Sequence, residues 1–279
     1  MAEITAAQVK ELRDEIGLGM GECKKALQDA NGDKAAAIKL LRERGANVAG
    51  KKASRVAKEG RVAAEIYDGG KSGVMIEVNC ETDFVAKNED FQAFVGQLVA
   101  KSKTVSDNQL ADAAKEELIA KIQKIGENLI IRRNVKFAVQ GNGIVAGYIH
   151  LGGKVGVLVE VGCEKAETAS KDAFKDVVKD ITLHIAASNP AYLNRAAVPA
   201  DVIAAEKEIY AKQVEGKPAN ILEKIVGGKL EKFYQTVCLV EQGFVKDPDH
   251  SVTEHVNTQA KLLADTLTIR RFIRFQVGV

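Results

Sequence analysis

Tryptophan is absent from the 279-residue sequence, and aromatic residues make up only 5% of it. The core must therefore be built mostly from Val, Ile, Leu and Ala. Neither charge sign dominates: 40 Lys and Arg oppose 38 Asp and Glu, a net charge of +2. Such a balance argues against nucleic acid or a membrane surface as the default partner. The start, MAEITAAQVK, has no apolar run behind a basic region, so it does not read as a secretory signal. No stretch approaches the apolar length of a membrane span. A cytoplasmic location is expected. Cys23, Cys80, Cys163 and Cys238 lie too far apart for a CxxC metal site and read as reduced, structural thiols.

Catalytic signatures are missing too. The chain has no GxSxG, P-loop, HExxH or strand-borne GxGxxG motif. His250 and His255 are five apart, a poor helical spacing for two metal ligands. Glu81 and Asp83 would share one side of an extended segment. No His or Cys obviously completes an acid–base set with them. An enzyme is not expected, nor a metal or a cofactor.

A hydrophobic content of 46% and a charged content of 28% fit an ordinary globular protein, and the length suits two domains or one duplicated core with additions. Residues 4 to 45 carry a helical pattern. Thr5 and Gln8 form a capping box, Val9, Leu12 and Ile16 share a face, and Gly17 stops the first helix. A second helix runs from about Met20 to Ala30 and buries Met20, Cys23 and Leu27. A third runs from Lys34 to Arg44, ended by Gly45. Three helices in so few residues make a small bundle, UBA-like in pattern, that suits docking better than catalysis. Residues 51–59, with Lys51, Lys52, Arg55 and Lys58, read as a basic linker.

The rest of the chain contains one pattern twice. Between residues 60–101 and 143–184, at a constant shift of 83, 16 of 42 positions are identical. Each copy opens as a strand hairpin around Gly-Gly, at Gly69-Gly70 and Gly152-Gly153. A helix follows, with Phe91, Phe94, Val95, Leu98 and Val99 at i, i+3, i+4, i+7 and i+8. A last strand, IRRNVKFAV from Ile131, matches IRRFIRFQV from Ile269 at a shift of 138. Copy two therefore holds 55 extra residues, the difference between 138 and 83, placed between Ser188 and about Gly243. They read as two helices broken at Gly216-Lys217-Pro218, an antiparallel hairpin. Ile203, Ile209, Ile221, Leu222 and Ile225 need something to pack on. Packing within the hairpin and docking on a partner or a second copy of this chain are both open. The expected fold is α+β: a bundle (1–50), the linker (51–59), one core subdomain (60–140), a second (141–187 and 244–279), and the inserted hairpin (188–243). Each core repeat is a strand hairpin, helical segments and a closing strand.

The two copies disagree at one informative place. Thr82-Asp83-Phe84-Val85 stands where copy two has Lys165-Ala166-Glu167-Thr168. A duplicated fold does not require an acid and an aromatic there, so Asp83 and Phe84 are candidates for function. The alternative is structural: Phe84 plugs the core and Asp83 caps a helix. His150, opposite Tyr67, is a weaker candidate at the second hairpin tip.

NCETDFVAKN (79–88) resembles a signature of the bacterial elongation factor Ts family. So do ITAAQVKELRDEIGLGMGECKKALQDANGD (4–33), KIGENLIIRR (124–133), YIHLGGKVGVLVEV (148–161) and FIRFQVG (272–278). The resemblance covers essentially the whole chain. It implies a guanine nucleotide exchange factor that binds elongation factor Tu, GDP-bound and nucleotide-free, in translation elongation. Thr82, Asp83, Phe84 and Val85 would enter the GTPase near its Mg²⁺ site and displace the ion, and GDP would follow. Met20 and Cys23 of the bundle, with His150 and Gly153 of the second repeat, would make secondary contacts. The helical hairpin would be a coiled-coil or dimerisation module. Some members continue beyond FIRFQVG into a further helix, where the sequence given ends at Val279.

A second reading is an RNA- or ribosome-binding accessory that uses Lys51, Lys52, Arg55, Arg132, Arg133, Arg270 and Arg271. The small net charge and the placing of the arginines within strands speak against it.

Overall fold

The structure, a computed structural model, describes residues 4–214 and 218–279. It is α+β. Helix α1 (Ala6–Ile16) starts at the Thr5–Gln8 capping box and ends at Gly17, whose φ of 73° an L side chain rarely adopts. Helices α2 (Met20–Asp29) and α3 (Lys34–Lys52) complete the bundle, around Leu12, Leu18, Cys23, Ala26, Leu27 and Leu41. Two expectations fail here. Met20 is 45% exposed; Leu18, from the turn before α2, fills the core instead. Gly45 does not end α3, which continues to Lys52 and takes the first two residues of the expected linker. A Cβ at Gly45 would lie 2.5 Å from the Gln123 side-chain oxygen and 3.5 Å from Ile119. This glycine permits close helix packing; it is not a stop signal.

Copy one folds as β1 (Glu59–Tyr67), β2 (Ser72–Cys80), α4 (Asp83–Lys87), α5 (Glu89–Ser102), α6 (Leu110–Ala113), α7 (Lys115–Ile125) and β3 (Ile130–Ala138). Copy two begins with β4 (Gly143–His150), β5 (Val155–Cys163) and α8 (Asp172–Ser188). The insertion follows, as α9 (Ala200–Lys212) and α10 (Ala219–Val237), and after it comes a small hairpin of β6 (Gly243–Phe244) and β7 (Asp247–Ser251). Then α11 (Val252–Leu263) and β8 (Leu267–Gln276) close the copy. The sheets are antiparallel, ordered β1-β2-β3 and β4-β5-β8.

The two sheets pack face to face through Val62, Met75, Phe137, Val145, Leu158 and Phe275. Their outer faces carry helices: α5 and α7 over Val74, Ile76 and Val78, and α8 and α11 over Val157, Val159 and Val161. Layering of this kind buries the central strands β2 and β5 on both sides, which is why their sequences run apolar rather than alternating. Glu77 and Glu160 are the charged exceptions, repeat-equivalent and 0% exposed.

Each buried glutamate is neutralised by the last strand of its own repeat. A bulge at Glu77/Val78 lets both Arg132 (3.4 Å) and Arg133 (2.7 Å) reach Glu77, and a bulge at Glu160/Val161 lets Arg270 (3.1 Å) and Arg271 (2.7 Å) reach Glu160. The repeats also clasp each other. Arg133 lies 4.2 Å over the Phe275 ring and Arg271 4.2 Å over Phe137. Gly278 donates its N–H to Glu77 and Gln140 donates its own to Glu160. Every one of these contacts has its counterpart in the other repeat.

Within the insertion, the base of the α9–α10 hairpin packs on itself through Val198, Ile203, Leu230, Tyr234 and Cys238. Arg195 clamps it by pairing with Glu231 and Glu241. Ile209 and Ile221 stay exposed. Of the expected hairpin break, Gly216 and Lys217 lie outside the described residues, as does Glu215 at the expected end of its first helix.

Candidate functional site

Helix α4 is one short helical piece set between β2 and α5. Thr82 caps it: its hydroxyl oxygen accepts from the Val85 N–H at 3.3 Å. Asp83 is the first helical residue rather than the cap, and its carboxylate pairs with Lys87 at 2.7 Å. That ammonium holds the Asp83 carboxyl below its usual range. Val85 and Ala86 pack into the core. Phe84 points the other way and is 82% exposed. The core-plug alternative for Phe84 is thereby overturned: Val85 and Ala86 do the plugging.

Copy two makes the contrast structural. Thr168 and Ala169, opposite Val85 and Ala86, are buried, and Glu167, opposite Phe84, is exposed. Both loops turn the same position to solvent. Only copy one puts a phenyl ring there.

The base of the loop is built alike in both copies. The Cys80 thiol donates to the Thr82 carbonyl at 3.1 Å, and Cys163 to that of Lys165 at 3.3 Å. Burial pushes the Cys80 thiol up to about 12, so it is a packing group. A carboxylate from before the last strand holds the loop backbone in each copy: Glu127 in the first, Asp265 in the second. Glu81 and Asp83 do not form a pair. Glu81 accepts from the Asn128 N–H and faces Arg55, because the helical turn at Asp83 ends the extended segment on which their same-side geometry depended.

The other candidates divide. His150 is exposed at the β4–β5 tip, where its Nδ1 lies 2.9 Å from the Tyr148 hydroxyl. Next to it Leu151 is 69% exposed, an apolar residue where copy one has Asp68. Sequence reading missed Leu151, although the same copy-to-copy comparison could have found it. A cleft of about 810 Å³ beside this tip is lined by Lys58, His150, Leu151, Val245 and Arg274, among others.

Gly153 is corrected from a contact to a packing residue. It is buried, and its carbonyl accepts from Val62 N–H at 2.7 Å. Its φ is +100°, and a Cβ would lie 2.5 Å from Arg61 Cγ and 3.1 Å from the Val62 oxygen. Gly153→Ala is therefore expected to destabilise the chain by about 1–3 kcal/mol, read as a lowered urea midpoint. Cys23 is corrected likewise: it is fully buried in the bundle, so it offers a partner no surface. Met20, on the same helix, is exposed.

The family model described as Elongation factor TS matches residues 81–279. An elongation factor Ts of Nitratiruptor sp. is 46% identical over 286 residues, covering 99% of this chain and 93% of the relative. One from Trichlorobacter lovleyi is 48% identical over 289 residues, with the same coverage. One from Clostridioides difficile is 47% identical over 291 residues, covering 100% of this chain and 94% of the relative.

The chain belongs to the elongation factor Ts family. Its work is in translation elongation. Five of the seven basic residues of the RNA reading are engaged elsewhere in this member of the family, while Lys51 is exposed. Arg132, Arg133, Arg270 and Arg271 are committed to two buried glutamates, and Lys52 donates to the Gly126 carbonyl at 2.6 Å. Among the described residues no group of three His, Cys, Asp or Glu side chains could hold a metal ion, and no helix is long and apolar enough to cross a membrane.

Proposed function

We propose that the chain exchanges guanine nucleotide on elongation factor Tu by inserting Phe84 and Asp83 beside the Mg²⁺ of the GDP-bound GTPase. The observation that carries this reading is Phe84, 82% exposed on a loop whose repeat-equivalent shows a glutamate. An exposed phenyl ring gains roughly 1.5–3 kcal/mol when a partner covers it, and that makes it a binding hot spot. Mg²⁺ offsets phosphate charge, so displacing it loosens GDP.

Exchange is linkage: a factor that weakens GDP is itself weakened by GDP in the same ratio. A 1,000-fold mutual weakening requires about 4.1 kcal/mol, more than one ring supplies. The remaining grip is assigned to the Met20 face of the bundle, to Tyr148, His150 and Leu151 at the second tip, and to the exposed end of the α9–α10 hairpin. Those surfaces hold the complex while the Phe84 loop distorts the nucleotide site. Whether the hairpin end meets the GTPase or a second copy of this chain is read from the mass of the free protein and of its complex. The partner places the chain in the cytoplasm, and no step is a bond-making reaction of this chain.

The test is release of fluorescent GDP from purified elongation factor Tu. Acceleration by the chain is expected, and no acceleration would remove the reading. In the same assay Glu167→Ala, at the Phe84-equivalent place in copy two, is expected to leave the rate within about twofold, as surface substitutions away from a binding site do.

A further inference from the structure

We propose that Glu127 is a positioning residue for exchange: its carboxylate fixes the Glu81–Thr82 backbone so that α4 presents Phe84 before any partner arrives. The inference rests on the role given above to the Phe84 loop.

Glu127 precedes β3 and lies 45 residues from the loop it holds. Its Oε2 accepts the Glu81 N–H and the Thr82 N–H, each at 3.1 Å, and its Oε1 accepts the Thr82 hydroxyl at 2.6 Å. That hydroxyl oxygen in turn accepts the first-turn N–H of Val85. One carboxylate is thus connected through the helix cap to the residue after Phe84. The strap is also fastened in reverse: Glu81 Oε1 accepts the Asn128 N–H at 2.6 Å, and Asn128 Nδ2 donates to the Arg55 carbonyl at 2.8 Å. Bonds to an ionised acceptor are the strong kind.

Phe84 has no core contact of its own to hold it, and a helix of five residues is not stable by itself. Val85 and Ala86 anchor the inner side of the helix, and the clamp fixes the backbone that leads into it. A loop already ordered loses less conformational freedom when it binds.

Copy two separates the two duties of the clamp. Asp265 accepts the Glu164 and Lys165 N–H groups at 3.2 and 3.1 Å, matching the backbone half of the Glu127 arrangement. Lys165 stands where Thr82 does, so no hydroxyl caps the helical turn that follows; the hydroxyl that bears on Asp265 is that of Thr168, opposite Val85. The backbone clamp belongs to the fold in both repeats. The arm that reaches the helix cap exists only in the repeat that displays Phe84.

The experiment compares Phe84→Ala, Glu127→Ala, Glu127→Gln and Asp265→Ala in the full chain. Each is measured for urea stability, for amide hydrogen exchange across residues 81–86 without partner, and for GDP release from elongation factor Tu over a range of chain concentrations. Glu127→Ala is expected to speed amide exchange in the loop and to lower the maximal release rate roughly tenfold, with the half-saturating concentration changed less than about twofold. Glu127→Gln keeps one acceptor oxygen and is expected to recover part of the rate. Asp265→Ala is expected to lose comparable stability and to keep the wild-type release rate. If Phe84→Ala slows release and both Glu127 variants do not, the positioning role is overturned and the Phe84 reading stands. If Asp265→Ala slows release as much as Glu127→Ala, the clamp is structural only and the proposal is overturned. If Phe84→Ala is silent, the loop reading fails and takes the positioning role with it.

Discussion

Phe84→Ala is expected to slow GDP release from elongation factor Tu roughly tenfold to a hundredfold at saturating chain, the rate equivalent of the 1.5–3 kcal/mol a covered ring supplies. Its unfolding midpoint in urea should stay at the wild-type value. The two halves of this result come from one observation. A ring that is 82% exposed makes almost no contact in the free chain, so removing it leaves the core intact. Val85 and Ala86, facing inward on the same helix, would behave oppositely. Asp83→Ala should have a smaller effect on release. Its carboxylate pairs in the free chain with exposed Lys87, a surface pair of little energetic value, so any loss measures what it does against the partner.

Glu160→Ala is expected to be the most destabilising of these substitutions, by about 3 kcal/mol, the low end of the 3–5 kcal/mol for breaking a buried ion pair. The low end applies because Arg270 and Arg271 are partly exposed and regain water once freed. The substitution would also unseat Gln140 and loosen the hold of Arg271 over Phe137, so it weakens the contact between the repeats as well as one sheet. Glu77→Ala should behave alike, since its partners are the repeat-equivalents of the same groups. Burial alone pushes the Glu160 carboxyl up, but the Gln140 N–H, Arg271 and Arg270 together outweigh it and bring it below its ordinary 4.5. A carboxyl depressed in the folded state gives stability that is present above the unfolded value and lost as pH falls through the folded one. Wild-type stability should therefore decline below about pH 4.5. The decline should be shallower in Glu160→Gln, which has no charge there to lose.

The duplicated strands and the helix after each hairpin were legible because periods of 2 and 3.6 are written over whole elements and repeated at fixed shifts. The bundle was legible down to its first cap at Thr5. Errors arose where one residue had to be assigned without a period. Gly45 looked like a stop because the helix α7 that presses on it lies far along the chain. Met20 continued the Cys23–Leu27 stripe, but it sits at the end of α2, where Leu18 from the preceding turn takes the core position. At the candidate site the comparison of copies marked Asp83 and Phe84 but could not say which way the ring points. A five-residue helix is too short to show a face. Glu127 carried no local signal, because its contact with Thr82 spans 45 residues. Gly153 and Cys23 entered by resemblance to a family, and their burial shows that they support surfaces rather than form them.

In the proposed mechanism the Phe84 loop couples binding of this chain to loss of GDP. The deciding measurement is the affinity of the chain for elongation factor Tu without nucleotide and with Mg²⁺ and GDP, for wild type and Phe84→Ala. Much tighter binding to the nucleotide-free form is expected for the wild type, and a ratio between the two affinities that falls roughly tenfold or more in Phe84→Ala. An unchanged ratio in the variant would contradict that mechanism, because the coupling would then reside in surfaces other than this loop.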